Sequence, residues 1–315
     1  MSGRWVFFGY HTFGARALAG LLARGETVAA VVTHDDRPEE GDWFESVADV
    51  ARTHDVPVLT PSSPNDPATV ARLAALDADV FLSVWYRRLL GEALLALPRV
   101  AAVNLHGSLL PAYRGRAPLN WVLVNGETRT GVTLHHMTTG ADAGDIVAQE
   151  PIDILLDDTA TTLYDRMVKA GVDLLVRSYP AVLAGTAPRT PQDHARATLV
   201  GRRRPEDGRV QWTWPAMRIA NMIRAVTHPY PGAFSGDGSS RLSLWEGVVD
   251  RTVTLGGIPG TIAEVQPGRG ILVATGEGTL RLTRVQAAGR TEAAADAWVE
   301  EQRLGPGDRL TGEGA

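Results

Sequence analysis

From its first residues the chain alternates short, unbroken apolar runs with segments of helical period. "WVFFGY" and "TVAAVVTH" are too short for helices and show no polar face, as expected of strands covered on both sides. Between them, "FGARALAGLLARG" places Phe13, Ala17, Leu18, Leu21 and Leu22 on one helical face. Strand, helix, strand is a βαβ unit. Asp66 and Pro67 then read as the N-cap and first position of another helix, "PATVARLAALD", before two further buried strands, "ADVFLSVWY" and "VAAVNLH". This order predicts an α/β, Rossmann-like fold, a mostly parallel sheet with helices on both faces.

Beyond it, "GVTLHHM" and "DIVAQEPIDI" read as strands, and Thr159 to Gly185 as a helix with Leu163, Met167, Leu174 and Leu175 on one side. From Arg202 the character changes: one amphipathic helix, "TWPAMRIANMIRAV", then short strands split by glycine, "RLSLWEGVV", "GTIAEV" and "GILVATGEGTLRLTRV". A length of 315 residues favours two cores over one. The expected division is a catalytic domain over 1–205 and a small β-rich, OB-like C-terminal domain over 206–315.

Composition removes several chemistries. With no cysteine, thiolate nucleophiles and cysteine-ligated metals drop out, and Lys169, the single lysine, sits on a helical pattern away from the polar motifs. Arginine is the cation left to hold anions. A net charge of −5 weighs against a broad nucleic-acid surface. The N-terminus lacks a small-residue cleavage pattern after its apolar run, so it reads as strand, turn and helix, and the expectation is a cytoplasmic protein without membrane partners.

Four polar constellations carry candidate chemistry. Gly9 and Gly14 punctuate the turn after the first strand, but their spacing is not that of a dinucleotide loop; the helix start still offers backbone donors to an anion, with His11 beside them. Asn104 and His106 sit two apart at the end of a strand and so point the same way, at the sheet edge where ligands bind. Asn can donate to a developing oxyanion and His can move a proton. On these two residues alone, a turn-capping Asn and a backbone-satisfied His remain the plainer reading. "GADAGD", Gly140 to Asp145, offers a carboxylate to orient His106; without a metal-ligand spacing, metal binding is the weaker idea and none is expected. "GRRRP", Arg202 to Arg204, is either a phosphate contact or a solvated charge run.

Taken together, Asn104-x-His106, "SLLP" at Ser108 to Pro111, "RG" at Arg114 and Gly115, and Asp142 resemble the 10-formyltetrahydrofolate-dependent formyltransferase family. Within it, "HGSLLPAYRGRAPLNWVLVNGET", "GVTLHHM", "ADAG", "GRRRPED" and "PGAFS" are most similar to the branch acting on UDP-4-amino-4-deoxy-L-arabinose. The resemblance implies transfer of a formyl group from 10-formyltetrahydrofolate, as co-substrate, to a primary amine, with Asn104, His106 and Asp142 as catalytic residues. It implies a folate site at Tyr86, Arg88, Leu89, Leu90 and Leu94 together with Thr139, Gly140 and Ala141, and contacts to a nucleotide-linked amino sugar from Gly9, His11, Ser108, Arg114, Arg202 and Arg203. Methionyl-tRNA formyltransferase is also similar, but Asp36 to Asp55 holds seven acidic residues and two Arg, a field that repels tRNA phosphates. Amino acid acceptors such as hydroxyornithine stay open, as does an inactive folate or sugar-nucleotide binding module. Assembly is left between a monomer and a homodimer.

Overall fold

The computed structural model describes residues 3–36, 43–252 and 257–310. In chain order the elements are β1 (Arg4–Gly9), α1 (His11–Leu22), β2 (Thr27–Val32), α2 (Val47–Thr53), β3 (Val58–Leu59), α3 (Pro67–Ala74), β4 (Val80–Val84), α4 (Glu92–Leu95), β5 (Ala101–His106), β6 (Arg114–Gly115), α5 (Pro118–Val124), β7 (Arg129–His136), β8 (Ile146–Asp153) and α6 (Ala160–Leu183). There follow β9 (Leu199–Val200), α7 (Ala216–Val226), β10 (Ala233–Ser235), β11 (Leu242–Asp250), β12 (Ile262–Gln266), β13 (Gly270–Ala274), β14 (Thr279–Ala287), β15 (Ala293–Ala294) and α8 (Ala295–Glu301).

The chain divides into two compact units, 1–118 with 129–153 and 164–201, and 119–128 with 154–163 and 202–315. Two short segments from within the span 1–205 thus belong to the second unit. That unit is built on one antiparallel sheet ordered β10-β11-β14-β13-β12, with β15 on β14. Ile223 of α7 packs against Gly247 of β11 and Leu282 of β14, where a larger residue at 247 would collide with both.

The first unit holds a seven-stranded sheet ordered β3-β2-β1-β4-β5-β7-β8. The first five strands are parallel; β7 and β8 turn antiparallel and form a hairpin at the edge. An unbroken apolar run is what a strand between two helical layers requires, and β1 shows it. Val6 and Phe8 join the core beneath α3 and α4 with Leu73, Phe81 and Leu94. Trp5 meets Tyr179 of α6, and Gly171 of α6 leaves room for Phe13 of α1. Each such buried aromatic contributes about 1.5–3 kcal/mol. Asp66 caps α3 as its sequence suggests, its carboxylate accepting the Thr69 N–H at 3.0 Å with Pro67 next to it. Among the described residues no helix is long and apolar enough to cross a membrane.

Candidate active site

The register of β5 against β7 builds the site. Asn104 pairs with His135 and His106 with Thr133, and cross-strand partners share a face of the sheet. With the two-residue period of β5, all four side chains lie on one face, at the end of a strand whose other flank is parallel to β4. Asp142 reaches this face from the loop between β7 and β8, in the left-handed conformation (φ 49°).

Asp142 Oδ1 lies 3.5 Å from His106 Nδ1, 3.4 Å from His135 Nε2 and 3.2 Å from Asn104 Nδ2. Its Oδ2 accepts the Gly115 N–H at 2.9 Å. Burial pushes this carboxyl up, but the charges of His106 and His135, a hydrogen bond from His135 and the Gly115 N–H outweigh it and hold the group well below the usual carboxylate range. Asp142 is thus a fixed anion. His106, 7% exposed, donates Nε2–H to the Tyr113 carbonyl at 2.8 Å while Nδ1 faces Asp142. The Tyr113 carbonyl thus makes Nε2 a protonated nitrogen, and Nδ1 is the edge turned toward Asp142.

The loop after β5 is shaped by its own buried bonds. Ser108 has no exposed surface and donates its hydroxyl to the Ala112 carbonyl at 2.7 Å. Thr133 Oγ1 donates to the Ser108 carbonyl at 2.6 Å and accepts from Leu110 N–H and Gln149. Arg114 sends its guanidinium to Gln192 and His194. These contacts support the loop.

The folate-site expectation falls on the loop after β4. Tyr86 stacks on His34, ring centroids 4.5 Å apart, and burial pushes its phenol up to about 12 against the opposing charge of Arg88. Leu90 and Leu94 lie in the core beneath the loop while Leu89 stands 60% exposed above it. Asn65 brackets the segment, donating to the Leu89 carbonyl at 2.9 Å and accepting the Gly91 N–H at 2.6 Å. Thr139, Gly140 and Ala141 lead directly into Asp142. Gly9 closes β1, and the following His11 is 6% exposed, stacked on Phe44 at 4.4 Å with Nδ1 2.8 Å from the Tyr164 hydroxyl.

Arg202 and Arg203 belong to the second unit. Arg202 is exposed, whereas Arg203 lies over Trp121 at 4.8 Å and donates to the Asp207 carbonyl at 2.8 Å. The acidic stretch from Asp36 to Asp55 falls in part on residues 37–42, outside the described residues. His135, Gln192 and Asn65 carry contacts that the sequence did not single out. For His135 a partial signal existed: two adjacent histidines on a strand point to opposite faces, so once β7 pairs with β5 one of them shares the face of Asn104.

A carboxylate, an imidazole and an amide are thus gathered at the carboxyl edge of a Rossmann-like sheet, where open α/β sheets bind ligands, in a chain that also holds a β-rich unit. The sequence profile of the family described as Formyl transferase matches residues 4–179, and that of the Formyl transferase C-terminal domain matches 203–303. The chain belongs to the formyl transferase family.

Solved structures share this fold. HypX from Aquifex aeolicus in complex with tetrahydrofolic acid is 17% identical with a TM-score of 0.64, over 96% of this chain and 47% of that one. The chain thus spans about half the length of HypX. WlaRD, a sugar 3N-formyl transferase with dTDP and 5-N-formyl-THF, is 17% identical with a TM-score of 0.69, over 92% and 100% of the two chains. An N-formyltransferase from Helicobacter canadensis, in complex with folinic acid and dTDP-3-aminofucose, is 18% identical with a TM-score of 0.67, over 90% and 99%.

Proposed function

We propose that this enzyme transfers the formyl group of 10-formyltetrahydrofolate to the primary amine of a nucleotide-linked 4-amino sugar, with UDP-4-amino-4-deoxy-L-arabinose as the leading acceptor, in the cytoplasm. The observation that carries the chemistry is the convergence of Asn104, His106, His135 and Asp142 within 3.5 Å contacts at one strand end. The folate ligands of both sugar N-formyltransferase neighbours, with dTDP in one and dTDP-3-aminofucose in the other, support the two substrate classes. The acidic composition of Asp36 to Asp55 supports a small acceptor over tRNA.

In this reading the neutral amine attacks the formyl carbon, forming the new C–N bond and an oxyanion. At 3.5 Å, His106 Nδ1 is too far from Asp142 for a full hydrogen bond, which leaves that edge to meet an oxygen arriving beside it. Asn104 Nδ2 supplies the second donor. Collapse breaks the bond to the folate nitrogen, which takes a proton while the amine loses one. Asp142 keeps His106 charged throughout, as the orienting carboxylate of a triad does.

In this reading the folate lies against two segments near the cluster. The loop from Tyr86 to Leu90 is fastened at its far end by Asn65 and presents Leu89 outward, and the Thr139–Ala141 segment ends at the reacting carboxylate. Loss of one oxyanion donor costs about 2.7–4 kcal/mol in comparable sites.

The acceptor is tested by competition. UDP-4-amino-4-deoxy-L-arabinose, other nucleotide 4-amino and 3-amino sugars, hydroxyornithine and methionyl-tRNA are offered together with 10-formyltetrahydrofolate. Formylation of the UDP sugar with the highest kcat/KM is the expected result; turnover of tRNA or hydroxyornithine alone overturns the acceptor.

A further inference from the structure

The turn that carries Asp142 is held from outside the reacting cluster by one side chain. Gln192 is 6% exposed. Its Nε2 donates to the carbonyls of Asp142 at 2.8 Å and Gly144 at 2.6 Å. Its Oε1 accepts from Arg114 Nε at 3.1 Å and Nη2 at 2.6 Å. Arginine can only donate and carbonyls can only accept, so these partners fix the amide's orientation. Two N–H donors and two oxygen lone pairs are then all in use, and none is left to touch a substrate.

The contacts form a closed loop. Gln192 ties the Asp142 backbone to Arg114; the next residue, Gly115, ties its own N–H to the Asp142 carboxylate at 2.9 Å. Both ends are anchored by backbone pairs, Ile146 with Thr190 (2.8 and 3.0 Å) on one side and β6 with β9 on the other. Asp142 needs this support. It holds a left-handed φ of 49°, a region that Asp enters more readily than most residues with a Cβ but at a cost that surrounding bonds offset. Gly144, two residues on, is packed so tightly that a Cβ there would meet the His136 carbonyl at 2.0 Å.

We propose that Gln192 is a positioning residue for formyl transfer: it fastens the left-handed turn and the Gly115 N–H so that both Asp142 oxygens keep their partners. The proposal rests on the role given to Asp142 above. A carboxylate at position 192 could still bind Arg114 but would face two carbonyl oxygens with no proton to offer, so the glutamine amide itself is required.

Gln192→Met keeps the volume and removes every bond; Gln192→Glu keeps the Arg114 arm alone. Each is expected to lower kcat about 10- to 100-fold with KM for the formyl donor little changed, because the carboxylate is displaced without loss of a binding group. The groups facing the Asp142 carboxyl are His106 from β5 and His135 from β7, with the Gly115 N–H. Loosening the last raises the carboxyl toward its ordinary range, so the acid limb of the rate profile moves to higher pH. A carboxyl-carbon NMR titration of Asp142 reads the same displacement without any acceptor, and is expected to move upward in both variants. A folded Gln192→Met enzyme with unchanged kcat and unchanged Asp142 titration overturns the proposal. Should that variant fail to fold, Gln192→Glu and Arg114→Met, which cuts the connection from its other end, carry the same readouts. Asp142→Asn separates the two claims: full activity there removes the role of Asp142, whereas an inactive Asp142→Asn beside normal Gln192 variants removes only the clamp.

Discussion

Gly115 donates its backbone N–H to Asp142 Oδ2 at 2.9 Å from a φ of +98°, with the Val200 carbonyl only 2.4 Å from where a Cβ would stand. The glycine of the "RG" pair is therefore required by geometry at the point where the loop after β5 meets the Asp142 carboxylate. Gly115→Ala adds strain of about 1–3 kcal/mol and moves the β6–β9 pairing away. Urea unfolding should show that loss, and kcat should fall with it; an alanine variant of wild-type stability and rate would mean that the loop adapts freely.

Asn104→Ala removes the amide that the proposed mechanism assigns to the oxyanion and leaves Asp142 and His106 their other contacts. The expected effect is a fall of about 10²–10³ in kcat with the fold retained. Steady-state kinetics and a thermal melt check it together. A change confined to KM would place Asn104 in substrate binding instead.

Asp142 also makes stability depend on pH in a definite direction. Its folded-state carboxyl is held below the unfolded value, which is about 3.9. The contribution is fully present above that value and is lost as pH falls through it toward the lower folded value. Wild type should exceed Asp142→Asn in unfolding free energy at neutral pH, with the gap closing only in the acid range. Chemical denaturation as a function of pH measures it, and a gap that closes near neutrality contradicts the assignment.

Away from the site, Glu26 is 9% exposed and its Oε2 accepts from Gly3 N–H at 2.9 Å and Trp5 Nε1–H at 2.8 Å. Glu26→Leu strands two donors and should cost about 1–3 kcal/mol for each that stays buried. Activity at low temperature should be unchanged, so a matching loss of kcat would tie this end of β1 to the site.

What the sequence shows and hides follows from the range of each contact. Asn104 and His106 are legible because a strand's two-residue period is local, and β1, β2, β4 and β5 because strands buried on both faces leave continuous apolar runs. The antiparallel course of β7 and β8 is not legible, since strand direction leaves no mark on an apolar pattern. His135 needs the β5–β7 register to be told from His136. Gln192 lies in a polar stretch with no period, and its partners are 48 to 78 residues away. The run from Arg202 to Arg204 shows the reverse problem: its charge is plain, but the Trp121 ring under Arg203 comes from a distant segment.

The most direct measurement is the mass of UDP-4-amino-4-deoxy-L-arabinose after incubation with 10-formyltetrahydrofolate and either wild-type enzyme or His106→Ala. Wild type should add one formyl group to the amine, and His106→Ala, folded to the same melting temperature, should do so about 10²–10⁴-fold more slowly. No formylation by wild type, or equal rates from the two proteins, would contradict the site's assignment to this transfer.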